Sequence, residues 1–408
     1  MDRPAQRAIV VQKFGGTSVA TPEGRAALRA RVSQARESGL LPVVVVSAMG
    51  RVGAPYATDT LLALLDGFDV VPREADLLAS CGEVVSAVLV AHELRAGGTP
   101  SIAMTGAEAG VVTDSRFGDA TVLRVEPAPL REALASGVVP VVAGFQGITD
   151  HGETTTLGRG GSDTTACAIA AALGAAAVEI YTDVDGVMTA DPRAFAGARV
   201  LDALQYEELF QMAKAGAKVM HAPAAEVAKT AGVTLRVRNT YTETPGTLVA
   251  DAARLSAERG RRVATAISHA DGVARAIVTL PGGEGRNGAL TDVFRSMAEA
   301  DTSLDMFTPL GDSLALSFDE GHLQAVTDVL DHLGLERTVE TGLATVTLVG
   351  AGMHGIPGVM ARVAGALAAA DVEILQVADS HYTISVLMPG SASRAAIAAL
   401  HDEFKLGA

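Results

Sequence analysis

Short runs of β-branched and aliphatic residues, each followed by glycine or small polar residues, recur through the first part of the chain. They stand at AIVV (8–11), PVVVVSA (42–48), GVVPVVAGFQG (137–147), AVEIYTD (177–183) and VTLRVRNT (233–240). A strand apolar at successive positions is covered on both faces, so these runs predict buried parallel strands. Helical spacing fills the intervals, as in ATPEGRAALRARVSQAR and READLLASCGEVVSAVLVAHEL. Strand and helix in alternation predict a layered α/β fold with helices on both faces of the sheet. Ligands of such sheets bind outside the carboxyl ends of the strands, which is where the glycine-rich segments fall.

Beyond about residue 250 the pattern changes. DAARLSAERGRR is charged and predicts a linker or connecting helix. Two similar units follow. The first has strand ARAIVTL (274–280), a glycine-rich loop, helix ALTDVFRSMAEAD (289–301) and strands SLDMF and SLALSF. The second has strand ATVTLVG (344–350), loop AGMHGIPG, helix VMARVAGALAAAD (359–371) and strands VEILQV and YTISVL. The repetition predicts a pair of small α/β modules.

The 408 residues exceed one ordinary core, and with 49% hydrophobic and 19% charged residues the chain is expected to fold fully. The net charge of −15 argues against nucleic acid as a partner; a single small anion still fits a local positive pocket. The amino terminus lacks the apolar core of a signal peptide, and the run 166–178 is too short to span a bilayer, so no membrane partner is expected. Cys81 and Cys167 cannot build a disulfide framework. A cytoplasmic location is the expectation.

Five segments carry candidate chemistry. In VVQKFGGTSVA a strand ends at Lys13, and Gly15-Gly16 turns into a helix near Ser18. Such a turn lets backbone approach a phosphate, and Lys13 adds charge, although the Walker order is absent. In TTTLGRGGSDTTACAIAAALGA three glycines (158, 160, 161) surround Arg159, and Ser162 or Asp163 caps the following helix. The Arg159 fork suits a carboxylate or phosphate; Asp163 is placed to orient lysines or a metal-bound phosphate. YTDVDGVMTADPR lacks calcium-loop spacing and suits a nucleotide, with Thr182 and Asp183 for base or ribose and Arg193 for phosphate. AKAGAKVMHAPA offers Lys218 as a second phosphate lysine, or as a solvated one. In LLASCGEVVSA, Glu83 on an apolar helix needs a partner, either a substrate ammonium or a structural cation. The histidines form no metal-spaced cluster, and no G-x-S-x-G elbow occurs, so no metal ligands are assigned.

Together, KFGGTSV, GRGGSDTTA, YTDVDGVMTADPR, GAKVM and SCGE resemble the aspartate kinases of the amino-acid kinase family, in order and spacing and over essentially the whole chain. The resemblance implies a three-layer αβα kinase domain with a mainly parallel central sheet (1–250). Two ferredoxin-like βαββαβ ACT domains (262–338 and 339–408) would follow. It implies Lys13, Asp163 and Lys218 as catalytic residues. Gly15, Gly16, Ser18, Thr182, Asp183, Met188 and Arg193 would join both lysines around ATP, and Mg²⁺ would be held mainly by the phosphates. Ser47, Thr58, Glu83, Arg159, Gly160, Gly161 and Ser162 would hold L-aspartate. The implied reaction is γ-phosphoryl transfer to its β-carboxylate. That nucleophile is already ionised, so alignment and charge neutralisation suffice. The repeats imply an amino-acid effector (lysine, threonine or diaminopimelate) near Ser303, Leu304, Asp305, Glu373, Ile374 and Gln376, and a homodimer. A kinase of another small carboxylate and a non-catalytic amino-acid sensor are the alternatives; Glu83 argues against the first, and Lys13, Asp163 and Lys218 together against the second. The sequence departs from the family in VMHAPAAEVA, where Pro-Arg is common, in Met188, where an aromatic is frequent, and in the GRNGAL loop.

Overall fold

The first aliphatic run forms β1 (Ile9–Phe14), and the glycine turn after it leads into a short α1 (Gly16–Ala20) and then α2 (Pro22–Glu37). Thr21 caps α2 by accepting from Gly24 N, and Pro22 opens it without sacrificing a needed donor. The chain continues through β2 (Leu41–Val46), α3 (Thr58–Leu62), α4 (Pro72–Ala96) and β3 (Ser101–Met104). A small sheet is built from β4 (Val111–Thr113), β5 (Val122–Val125), β7 (Gln146–Ile148) and β8 (Thr154–Thr156), with α5 (Ala128–Ala135) and β6 (Val139–Ala143) intervening. Then come α6 (Gly161–Leu173), β9 (Ala177–Thr182), β10 (Ala203–Gln205), α7 (Tyr206–Lys214), α8 (Ala222–Thr230), β11 (Leu235–Asn239), β12 (Thr247–Ala250) and α9 (Ala252–Leu255).

The computed structural model describes residues 7–217, 220–255, 263–283, 285–353 and 355–407. They divide into two units. The first takes the chain as far as Val187, then Val200–Ala213 and the described residues from Met220 to Leu255; the second takes Met188–Arg199, Lys214–Ala217 and the chain from Val263 onward.

The main sheet of the first unit runs β10-β12-β11-β9-β1-β2-β6-β3, parallel throughout except for β11 against β12. Helices α2 and α4 cover one face, with Leu28, Val32, Ala87, Val90 and Leu94 packed on Phe14, Val44, Val46 and Val141. The alternate residues Val11, Val43, Val45 and Val142 are equally buried, and α6 packs along β1, β2 and β9. Both faces are covered, as the unbroken aliphatic runs require. Helix α4 is long and apolar enough to cross a membrane, the one such helix among the described residues, but it lies against β3, β6 and β8 and half of its apolar stretch is buried.

The second unit is built on one six-stranded sheet, β14-β15-β13-β16-β18-β17. Its elements are β13 (Ala266–Thr279), α10 (Gly285–Glu299), β14 (Met306–Leu310), β15 (Ser313–Asp319), α11 (Leu323–His332), β16 (Arg337–Val349), α12 (Val359–Ala369), β17 (Gln376–Asp379), β18 (Thr383–Pro389) and α13 (Ser393–Glu403). Two ferredoxin-like modules share β13 and β16. Residues 273–279 pair with β15 and with the start of β16, and residues 266–271 pair with the end of β16 beside β18. The register shifts near Gly272, whose φ of 71° only glycine adopts freely. The expected boundary between 338 and 339 therefore falls inside β16, and the second module takes its fourth strand from before the first. The expected strands 274–280 and 344–350 are the halves of longer ones. Likewise, 188–199 and 214–217 fall within the expected 1–250 domain but belong to the second unit. Ala190 is buried in the core of the second module, with Ala194, Phe195 and Ala198 packed on it.

Candidate active site

Lys13 is the penultimate residue of β1, at the carboxyl end of the sheet. Its ammonium lies 2.6 Å from Asp163 Oδ1, and the two side chains are only 13% and 9% exposed. Asp163 sits in the first turn of α6, where the helix dipole also favours an anion. A Cβ at Gly15 would stand 3.8 Å from Tyr181 O and 3.9 Å from Lys13 Nζ, in ordinary contact with both. A Cβ on Gly16 would lie 2.5 Å from Ala48 O and 2.8 Å from Gly50 O, so this turn presses on the loop after β2 that carries Ser47. Ser47 N donates to Phe14 O, and Gly50 N to Gly16 O.

That loop meets α4. Ala48 N donates to Glu83 Oε1 at 3.0 Å, while Glu83 Oε2 is buried with no partner among the described residues. Burial pushes the Glu83 carboxyl up from 4.5 to about 7, against the lowering pull of the Ala48 bond. Thr58 opens α3. On the other side, Gly160 adopts φ 68° at the start of α6. A Cβ at Gly160 would come within 2.1 Å of His221 Cβ. His221 Nδ1 is buried and unpartnered among the described residues; no local pattern signals this, because the two segments are distant along the chain. Ser162 is buried against Gly144. The Arg159 guanidinium is exposed, with no hydrogen bond or ion pair among the described residues.

Thr182 ends β9 and Asp183 follows it, with Asp183 Oδ2 3.0 Å from Arg51 Nη2. Ser18 is fully buried, and its hydroxyl is engaged with Thr240 at 2.7 Å. Met188 and Arg193 belong to the second unit, where the exposed Arg193 forks onto Asp191, whose carboxyl it holds below its ordinary range. Lys218 lies outside the described residues. Among the described residues no group of three or more His, Cys, Asp and Glu is arranged around a metal position.

The effector candidates all lie in the second unit. Ser303 and Asp305 are exposed just before β14, and Leu304 packs on the first module's core. Glu373 and Ile374 are exposed just before β17. Gln376 is buried and donates to Thr308 at 2.8 Å, and Arg275 donates to Leu375 O at 3.0 Å. The strands that follow the two segments are therefore bonded to each other through side chains.

The amino acid kinase family model matches residues 8–239, and an ACT domain model matches residues 338–402. The chain belongs to the amino acid kinase family. Within that family it is similar over its whole length to aspartokinases. It is 42% identical over 402 residues to aspartokinase 1 of Bacillus subtilis (strain 168), covering 98% of this chain and 99% of that protein. E. coli aspartokinase III in complex with aspartate and ADP (R-state) superposes with a TM-score of 0.78 at 27% identity, over 97% of this chain and 99% of that one. The same enzyme in complex with lysine and aspartate (T-state) gives 0.77 at 27% identity, over the same shares of each chain.

Proposed function

We propose that this chain is an aspartate kinase, transferring the γ-phosphoryl group of ATP to the β-carboxylate of L-aspartate to give 4-phospho-L-aspartate. Its regulation is feedback by an amino acid bound at the paired C-terminal modules. The observation that carries the reading is a pair of unmet opposite charges near the carboxyl end of the sheet. Among the described residues Glu83 Oε2 is a buried carboxyl oxygen without a partner, and Arg159 is an exposed guanidinium without one. An α-amino acid supplies both complements: its ammonium for Glu83 and its α-carboxylate for Arg159. Ser47, Thr58, Gly160, Gly161 and Ser162 line the same substrate pocket in this reading.

Lys13 then stabilises charge on the phosphoryl group in flight, and Asp163, 2.6 Å away, keeps its ammonium aimed. Gly15, Gly16, Thr182, Asp183 and Lys218 complete the proposed nucleotide contacts. Mg²⁺ neutralises phosphate charge and is held mainly by the phosphates in this reading. The β-carboxylate needs no general base, so the chain's task is alignment.

For the modules, the proposed ligand is lysine, threonine or diaminopimelate near Ser303–Asp305 and Glu373–Gln376. The edge strands β14 and β17 expose Phe307, Leu310 and Val377, which suits pairing of two copies. Cys81 and Cys167 are both free thiols, in keeping with a cytoplasmic location. The test is acyl-phosphate formation trapped with hydroxylamine, from MgATP with aspartate, glutamate or N-acetylglutamate, and with candidate effectors singly and in pairs. Turnover with aspartate, suppressed by one effector set, is expected. No product from aspartate would overturn the reading.

A further inference from the structure

Thr240 follows β11, outside every segment singled out for its chemistry, and it is fully buried. Four bonds converge on it. Its hydroxyl donates to Thr182 O at 3.1 Å and lies 2.7 Å from Ser18 Oγ. A hydroxyl carries one proton, so the Ser18 hydroxyl is the donor in their mutual bond. The Thr240 amide donates to the same Thr182 carbonyl at 2.9 Å. Its carbonyl accepts from Arg31 Nε at 3.3 Å, and Arg31 Nη2 continues to Thr242 O at 2.6 Å.

We propose that Thr240 is a positioning residue for phosphoryl transfer. It fixes the Lys13–Ser18 turn, on the phosphate side, in one register with the Thr182–Asp183 loop, on the nucleoside side. ATP bound across both then presents its γ-phosphoryl group to Lys13. The proposal rests on the nucleotide reading given above. It also reassigns Ser18. The Ser18 hydroxyl proton goes to Thr240 and its amide to Gly15 O at 3.0 Å, so Ser18 acts through Thr240 and not on a phosphate. Removal of the Thr240 hydroxyl leaves Ser18 a buried donor without an acceptor. The neighbouring loop keeps its own anchor, because Asn239 and Thr242 both donate to Asp185 Oδ1, at 2.9 and 3.0 Å. The fold should therefore persist while the register loosens.

The test is steady-state kinetics of the full chain for Thr240→Val, Thr240→Ser, Ser18→Ala and Asp183→Ala. Thr240→Val is isosteric and should raise KM for MgATP on the order of tenfold and lower kcat, with KM for aspartate unchanged. Thr240→Ser should restore both parameters. Ser18→Ala should shift the same parameter, and its effect should not add to that of Thr240→Val. An unchanged KM for ATP in Thr240→Val, an equal rise for both substrates, or no rescue by serine overturns the proposal. If Thr240→Val does not fold, an ATP-selective rise in Ser18→Ala supports it and the lack of one overturns it. An unchanged KM for ATP in Asp183→Ala removes the nucleotide reading itself. A raised KM there, with an unchanged one in Thr240→Val, overturns the positioning role alone.

Discussion

Glu83→Gln should stabilise the unliganded protein while abolishing its activity. The folded chain holds the Glu83 carboxyl at about 7, against 4.5 for an unperturbed group, because burial disfavours the charged form. Between those values the folded chain retains a proton that the unfolded chain has released. The group's contribution to stability is therefore full below pH 4.5 and is lost as pH rises through about 7. A rise of roughly 2.5 in pKa, at about 1.36 kcal/mol each, amounts to about 3 kcal/mol by pH 8.5. Glutamine keeps an oxygen for Ala48 N–H and carries no charge, so the variant avoids this cost. Urea denaturation of both proteins at pH 5 and pH 8.5 measures it directly. The gap in favour of the variant should widen by about 2–3 kcal/mol from the lower to the higher pH, since at pH 5 the unfolded chain has already released part of its proton. A gap that does not change with pH refutes the reasoning, because it would mean that Glu83 does not change its ionisation on folding. The catalytic counterpart has the opposite sense. A substrate ammonium needs the carboxylate, so kcat/KM for aspartate should fall as pH drops below about 7.

Other outcomes follow from the same geometry. Lys13→Ala leaves Asp163 a buried charge without its partner and should lower acyl-phosphate formation at least roughly 100-fold, with effector binding by calorimetry unchanged. Gly160→Ala forces a Cβ into His221 at a left-handed φ of 68°, and urea denaturation should show a loss of about 1–3 kcal/mol together with a raised KM for aspartate. Asp191→Ala breaks an exposed fork with Arg193 and should change stability by less than about 1 kcal/mol in the same assay. Ser303→Ala and Glu373→Ala should shift the effector concentration for half inhibition and leave kcat without effector unchanged; a change in basal kcat alone would take these residues out of the effector site.

The parts of the fold legible in the sequence are those decided by local pattern. Runs such as VVVV at 43–46 are buried on both faces and have no other place in a layered fold. The glycines at 16 and 160 mark backbone that presses on other backbone or on a side chain, and composition alone flags such positions. What stayed hidden depends on pairings between distant segments. Asp76 on α4 holds the small sheet by accepting from Gly118 N, Thr156 N and the Thr156 hydroxyl, yet nothing around it in sequence sets it apart from a surface acid. His221 is visible as a residue but not as the neighbour of Gly160. Ser18 looks like a phosphate ligand because it follows the glycines, whereas its hydroxyl turns inward to a threonine more than 200 positions away.

The shared strands bear on how the two C-terminal modules can respond to a ligand. Each of β13 and β16 contributes one half to each module, so neither module can rotate without bending both strands. The bend has a place to occur: Gly272 and Gly342 hold φ of 71° and 67° where the register breaks and the halves meet. Side chains join the modules at a second level. Arg275, on the first module's half of β13, reaches Leu375 O and Glu340, and Gln376 reaches Thr308. A ligand that orders the segment 373–376 therefore acts on both modules at once, through bonds already in place. The second module also holds part of the chain that precedes both. Thr189 Oγ1 bonds His401 Nε2 of α13 at 3.0 Å, Phe195 packs on the same imidazole, and Ile267 N donates to Thr189 O. Burial holds His401 below its ordinary pKa, which keeps the ring neutral and able to share that bond with a hydroxyl. The segment 188–199 follows shortly after Thr182 and Asp183 in the chain, yet it packs into the core of the second module, so this stretch of sequence is held by contacts made with residues that come about 200 positions later.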